Sequence, residues 1–387
     1  MSFIPYSRQQ VEPADIDAVV EVLRSDYLTQ GPAIPRFEQA FAQRHQVKHA
    51  LAVTNATAGL HIACLALGVG PGSRVWTSPN SFVASANAAL YCGATVDFVD
   101  IDPVTRNLSV AALETKLQQA EQAGALPQVV VPVDFAGLPA DLKPMRTLAD
   151  RYGFRILQDA SHATGASYLG APVGAAWADI TVFSFHAVKI VTTGEGGMVT
   201  TQVDALAAQL ALLRSHGVTR QPERLEQADQ GAWYYEQQLL GWNDRITDIQ
   251  AALGASQLAR MDAMQAARQA MADRYDQLLA GLPVVLAPRQ TGSVSSWHLY
   301  AIEIDTGVGG VGRRAVFDAM RQAGIGVNVH YIPIHTQPYY TRLGFKAGHC
   351  PVAERYYSRA LTLPLFPAMT HSQQDRVVAV LTQALGL

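Results

Sequence analysis

At 387 residues, 49% hydrophobic and 16% charged, the chain is long enough for a large core and two domains, and too apolar to stay disordered. A formal net charge of −3 gives no global basic field for nucleic acid or an anionic membrane surface. No apolar run reaches the roughly 18 residues of a membrane helix, and the N-terminus (MSFIPYSRQQVEPADID) lacks the pattern of a signal peptide. The expectation is a cytoplasmic protein. Its three cysteines, Cys64, Cys92 and Cys350, stand in no paired spacing and read as buried small hydrophobes.

From residue 50 to about 200, short β-rich runs alternate with helical patterns. Strands are expected at HALAV (49–53), RVWTS (74–78), TVDFVD (95–100), QVVVPVD (128–134), RILQDA (155–160), ITVFSF (180–185) and GMVTT (197–201), with helices at Thr57–Leu67, Ser81–Tyr91 and Val110–Gln122. Such alternation predicts an α/β fold with a mostly parallel sheet between helices. Residues 248–281 lack proline and are rich in helix formers, which predicts one long helix joining two lobes. Strands at 297–305 and 326–332, a helix at 312–323 and a terminal helix from 372 make a smaller C-terminal α+β domain. The division is a large domain over 1–248 and a connecting helix with the small domain over 249–387.

Lysine is scarce, with five in all. Lys189 is set apart, lying in ITVFSFHAVKIVTTGEGGMV between an apolar strand and a glycine-rich turn. It could be a snorkelling side chain at a strand end. A partly desolvated lysine is also a better nucleophile toward an aldehyde, since its pKa falls toward neutrality. Asp159 closes the strand RILQDA, where parallel sheets place ligands, and could keep a pyridine nitrogen protonated; it could equally cap a helix. The turn TNATAGLH (54–61) opens a helix whose first amides could cradle a phosphate or be capped in the ordinary way. Ser184 could add a hydroxyl. Phe82 could stack on a flat ring or pack in the core.

Phosphate cradle, stacking ring, carboxylate and lysine follow one another in the order 54–57, 82, 159, 184, 189. With TNATAGLHIACLALGVGPGSRV, NSFVASANAALYCGATVDFVDIDP, QDASHATGASYLG, FSFHAVKIVTTGEGGMVTT and LGWNDRITDIQAALGASQL, the chain resembles the DegT-type nucleotide-sugar aminotransferases, fold-type I pyridoxal-phosphate enzymes, over essentially its whole length. The resemblance implies pyridoxal 5'-phosphate as cofactor and Lys189 as its Schiff-base lysine. It makes Asp159 the pyridine-nitrogen partner and places His162 beside the phenolic oxygen. Ala56 and Thr57 become phosphate-binding amides, Ser184 a phosphate-binding hydroxyl and Phe82 the stacking ring. Asn243 of GWNDR would reach the phosphate of a neighbouring subunit, implying a homodimer with shared sites. Two positions depart from the family: Ala56 stands where Gly or Ser is common, and Gln158 where Glu is frequent. Dehydratase relatives carry histidine in place of the lysine, so Lys189 favours aminotransfer.

IPYSRQ (4–9), SDYLTQGPAIPRFEQAF (25–41) and VNVHYIPIHTQPYY (327–340) resemble the pseudaminic-acid branch of this family. That branch implies amination at C4 of a UDP-linked 4-keto-6-deoxy-N-acetylhexosamine with L-glutamate as donor. Tyr6, Thr29, His330 and Tyr331 are the candidate sugar contacts, with His330 reaching across a dimer or being only a strand-end histidine. Other UDP-, GDP- or dTDP-sugars, another pyridoxal-phosphate reaction, and a catalytically silent regulator remain as alternatives; the motifs weigh against the last two. The eleven histidines show no metal-ligand spacing.

Overall fold

The computed structural model describes residues 3–227, 230–305 and 310–387. All seven strands expected between 49 and 201 form one sheet. They are β1 (His49–Val53), β2 (Arg74–Thr77), β3 (Thr95–Phe98), β4 (Val129–Val131), β5 (Arg155–Asp159), β6 (Ile180–Ser184) and β7 (Gly197–Thr201), in the spatial order β1-β7-β6-β5-β4-β2-β3. β2 pairs in parallel with β3 and β4, β4 with β5, and β5 with β6; β7 runs antiparallel between β1 and β6. Every residue of β4, β6 and β7 is buried. This is the pattern of a sheet covered on both faces, and it explains why these strands read as continuous apolar runs.

The covering helices are α1 (Pro13–Leu23), α2 (Ala33–His45), α3 (Ala56–Ala66), α4 (Ala84–Tyr91), α5 (Val110–Gln122), α6 (Leu142–Tyr152) and α7 (Asp204–Arg214). α5 matches its expected span, and Ser109 caps it by accepting from Ala112 N–H at 3.2 Å. α1, α2, α6 and α7 were not anticipated. One sheet face is closed by an aromatic cluster, in which Phe41 meets Phe37, Phe183 and Phe185 and stacks on His45 at 4.1 Å. Phe41→Ala is expected to cost about 3–5 kcal/mol. Urea unfolding should show the midpoint fall with the slope unchanged; an unmoved midpoint would contradict this packing.

The long helix expected over 248–281 is instead two, α8 (Asp248–Ala259) and α9 (Met261–Leu278), broken at Arg260 (φ −109°, ψ 13°). Arg260 turns its guanidinium onto the N-terminal segment, donating to Gln10 O at 2.7 Å and to the carboxylates of Glu12 and Asp15. These tertiary bonds favour the break where no proline or glycine marks one. α8 packs in the core that holds Phe183 and Phe185, whereas α9 contributes Met271 and Tyr275 to a second core.

That second core lies under a three-stranded antiparallel sheet of β8 (Val284–Val285), β9 (Tyr300–Ile304) and β10 (Ala360–Leu363), with β9 central. α10 (Arg313–Gln322) and α13 (His371–Ala384) pack on this core, whereas α11 (Pro338–Arg342) and α12 (Pro351–Arg359) bury Tyr340, Ala353 and Tyr356 in the core of the large sheet. The strand expected at 326–332 does not form. Asn328 exchanges both backbone bonds with Thr362, but the next groups bond to side chains: His330 O accepts from the Tyr356 hydroxyl and Tyr331 N–H donates to Asn80 Oδ1. The ladder therefore stops after one bridge.

Candidate active site

The carboxyl ends of β5 and β6 sit side by side, which is where an open α/β sheet presents ligand-binding groups. Asp159 ends β5 and is 4% exposed. Its Oδ2 accepts from Ser85 Oγ at 2.6 Å, and its Oδ1 from Ser161 N–H at 3.1 Å. The Ser85 hydroxyl is also 2.7 Å from that of Ser81. α4 therefore positions Asp159 from one side. The carboxylate does not cap a following helix.

Ser184 ends β6 and is buried opposite Gly197 of β7. A Cβ on Gly197 would lie 2.9 Å from Ala56 N, closer than side-chain carbons come to backbone. Glycine there lets the start of α3 settle directly onto the two strands. Asn55 caps α3 through Ala58 N–H at 2.8 Å, which spends one of the helix's first amides. Ala56 and Thr57 open the helix at this junction. A helix N-terminus beside the Ser184 hydroxyl makes an anion cradle with the dipole's positive end inward. Phe82, just before α4, is 62% exposed. The core-packing reading of this ring is thereby excluded.

Lys189 follows β6 in the loop toward β7, held by its N–H to His186 O at 2.9 Å. Burial lowers its pKa to about 8, and the charge of Asp159 keeps it from falling further. Three imidazoles crowd the same space. His162 and His298 have ring centroids 4.5 Å apart, and His330 packs at 4.8 Å from Tyr331. Burial holds all three well below the ordinary histidine pKa, and the Lys189 charge adds to the effect on each. The proton in this group therefore belongs to the lysine.

Of the four candidate sugar contacts, three come together. The Tyr331 hydroxyl lies 3.1 Å from His162 Nε2, and the Tyr6 and His330 rings are 5.7 Å apart. His330 Nδ1 is 2.8 Å from Thr362 Oγ1. The N-terminal segment reaches the lysine loop through Ser7, whose hydroxyl donates to Val188 O at 3.4 Å. Thr29 lies exposed between α1 and α2, and Asn243 is exposed beside Ser215. Neither forms a hydrogen bond with the Lys189 group within this chain. Ser85, Asn80, Ser7 and His298 were missed from the sequence. Only Ser85 had a signal, three residues after Phe82 on a helical pattern.

The residues present fit pyridoxal phosphate: an amine of lowered pKa, a carboxylate held for a ring nitrogen, an exposed aromatic face and a glycine-cleared anion cradle. Among the described residues, no group of three or more His, Cys, Asp or Glu could hold a metal ion, and no helix is long and apolar enough to cross a membrane. All three cysteines are free and buried.

Residues 9–382 match the DegT/DnrJ/EryC1/StrS aminotransferase family. The spore coat polysaccharide biosynthesis protein SpsC of Bacillus subtilis is 38% identical over 379 residues, 97% of this chain and 95% of that protein. Helicobacter pylori PseC, an aminotransferase involved in pseudaminic acid biosynthesis, superposes with a TM-score of 0.90 at 30% identity, covering 100% of both chains. Streptococcus pneumoniae Spr1654, described as a sugar aminotransferase, superposes in its PMP form at 0.90 and in its PLP form at 0.88, each at 29% identity and 99% coverage of both chains. The chain belongs to the DegT/DnrJ/EryC1/StrS aminotransferase family and is a pyridoxal-phosphate-dependent sugar aminotransferase.

Proposed function

We propose that the chain aminates C4 of a UDP-linked 4-keto-6-deoxy-N-acetylhexosamine with L-glutamate as donor, giving UDP-4-amino-4,6-dideoxy-N-acetyl-β-L-altrosamine. The observation that carries this reading is the cluster of Tyr6, His330 and Tyr331 around His162 and Lys189. Flat rings with polar tips suit a sugar, and these residues lie in the segments that resemble the pseudaminic-acid branch. The working unit is a cytoplasmic homodimer in which Asn243 completes the neighbour's phosphate site; Thr29 is a candidate substrate contact, and His330, expected from the sequence to reach across the dimer, instead stands beside Lys189 of its own chain. Division of the chain at 248/249 puts the cofactor-holding residues in the large domain and His330 and Tyr331 in the small one.

When bound, pyridoxal phosphate supplies an electron-withdrawing ring that carries the amino group between donor and acceptor. Lys189 Nζ holds the cofactor. Its free amine would take a proton from the donor α-carbon in one half-reaction and deliver one to the sugar C4 in the other. Its pKa of about 8 suits both duties near neutrality. Asp159 would accept from the ring nitrogen. The α3 amides with Ser184 would bind the phosphate, and Phe82 would cover the ring. Phe82→Ala is therefore expected to weaken pyridoxal-phosphate binding about tenfold with little change in fold stability. Equilibrium dialysis beside a thermal melt checks this; unchanged affinity would remove Phe82 from the site.

A second reading is favoured by the SpsC relative, whose name belongs to polysaccharide biosynthesis: C4 or C3 amination of another UDP-, GDP- or dTDP-linked keto-sugar. A screen of the holoenzyme with L-glutamate against UDP- and dTDP-linked 4-keto sugars separates the two. Preference for the UDP-linked N-acetylhexosamine by at least about a hundredfold in kcat/KM, or about 3 kcal/mol of discrimination, is expected. Equal or better turnover of a dTDP- or GDP-sugar would transfer the assignment.

A further inference from the structure

His162 is gripped at both ends by groups from distant parts of the chain. Ala136 N–H donates to its Nδ1 at 3.2 Å, and the Ser296 hydroxyl donates to its carbonyl oxygen at 2.6 Å. The two gripping segments are themselves joined, Ser296 N–H to Gly137 O at 3.0 Å and Leu299 N–H to Ala136 O at 3.2 Å. The turn at 135–137, His162 and the approach to β9 thus close one hydrogen-bonded ring. His298 packs its ring against the imidazole at 4.5 Å between centroids.

The turn accepts strain to do this. Ala136 has φ 60° and ψ 3°, the left-handed region that costs an alanine energy and persists only where its surroundings impose it. In that conformation both its N–H and its C=O are used by the ring. Gly137 follows at φ 98°, and a Cβ there would stand 2.3 Å from Ser296 Oγ and 3.0 Å from the His162 carbonyl oxygen. Only glycine allows so close an approach.

A ring nitrogen that accepts an N–H cannot itself carry hydrogen. With Nδ1 engaged by Ala136, the hydrogen of a neutral His162 is on Nε2, and Nε2 faces the Tyr331 hydroxyl at 3.1 Å. Burial disfavours a second proton on the ring, and the charges of Lys189 and His330 oppose it further.

We propose that Ala136 and Ser296 are positioning residues that lock His162 in the Nε2–H form, so that one N–H donor points permanently into the site beside Tyr331 and Lys189. The inference rests on the proposed place of His162 beside the cofactor's phenolic oxygen, an anionic acceptor that such a fixed donor suits. It goes beyond that reading by assigning the lock to a residue in the segment leading into β9 and to a strained turn.

Nitrogen-15 NMR of histidine-labelled protein, in the holoenzyme and after cofactor removal, tests it; His162 is assigned by the signal lost in His162→Gln. The expected result is one pyrrole-type and one pyridine-type nitrogen with the hydrogen on Nε2, the same in both forms. Ser296→Ala is expected to replace this with an exchanging mixture of tautomers. It should also lower kcat about tenfold while KM for L-glutamate stays within about twofold. Ala136→Gly keeps the N–H and should keep the tautomer. An Nδ1–H or doubly protonated His162 in the unaltered protein near neutral pH would overturn the proposal, whether or not the variants fold. So would Ser296→Ala with tautomer and kcat unchanged. A correct tautomer in a protein that transfers no amino group to a keto-sugar would sink the proposed function and leave the lock standing.

Discussion

Lys189→Ala is expected to remove turnover, by at least about 10⁴-fold, while the protein remains folded. In the proposed mechanism one amine holds the cofactor and moves the proton, so its loss would remove two functions at one atom. The other lysines cannot substitute. Lys48 and Lys116 are tied to Asp204 and Asp97 in ion pairs, and none of the four shares the loop between β6 and β7. The fold should survive because Lys189 makes no ion pair among the described residues and burying a methyl there removes a desolvated charge. A pH dependence follows from the lowered pKa. Below about 8 the amine is protonated, so capture of pyridoxal phosphate by cofactor-free protein should speed about tenfold per pH unit, then level off above it. The stability linkage has the matching sign. The folded state binds fewer protons than the unfolded chain between about 8 and the ordinary lysine value of 10.5, so stability rises with pH through that window. Stopped-flow absorbance checks the first statement and denaturant midpoints across pH the second. Capture independent of pH between 6 and 9 would contradict both the pKa and the role.

Asp159→Asn is expected to lower kcat by about 10²–10³-fold, with a smaller effect on cofactor affinity. The asparagine is nearly isosteric and can still accept from Ser85, so the site should keep its shape. What it loses is the carboxylate that the proposed mechanism assigns to the ring nitrogen, on which the electron-withdrawing power of the ring would depend. Asp159→Asn also removes the one charge that supports the Lys189 ammonium, so the capture profile should shift to lower pH. Steady-state kinetics and the same capture experiment measure the two effects. A variant with kcat within about threefold of the unaltered enzyme would show that the carboxylate has another job.

The strands of the large sheet were legible because a sheet buried on both faces demands continuous β-branched and aromatic runs, and seven such runs stand between residues 49 and 201. Their spatial order was not legible. It depends on which crossovers pack, and β2 lies between β4 and β3 rather than beside β1. Two expectations failed for one reason. The break at Arg260 and the loss of a strand at 326–332 both arise where long-range side-chain bonds outbid the local pattern. The site divides in the same way. Asp159 and Ser184 end strands and Lys189 lies in the loop just after one, so all three could be found from the chemistry of strand ends. Ser85, Asn80 and Ser296 reach partners 74, 251 and 134 residues away, and no local pattern announces them. Phe82 was ambiguous as a residue type, and only its exposure separates a stacking face from a core ring.

Reduction of the holoenzyme with borohydride, followed by proteolysis and peptide mass spectrometry, tests the central claim at a single atom. The cofactor's mass should appear, covalently fixed by reduction, on the peptide that contains Lys189 and on no other. Fixation on the peptides of Lys48, Lys116, Lys143 or Lys346, or no fixation in a preparation that still transfers amino groups, would contradict it.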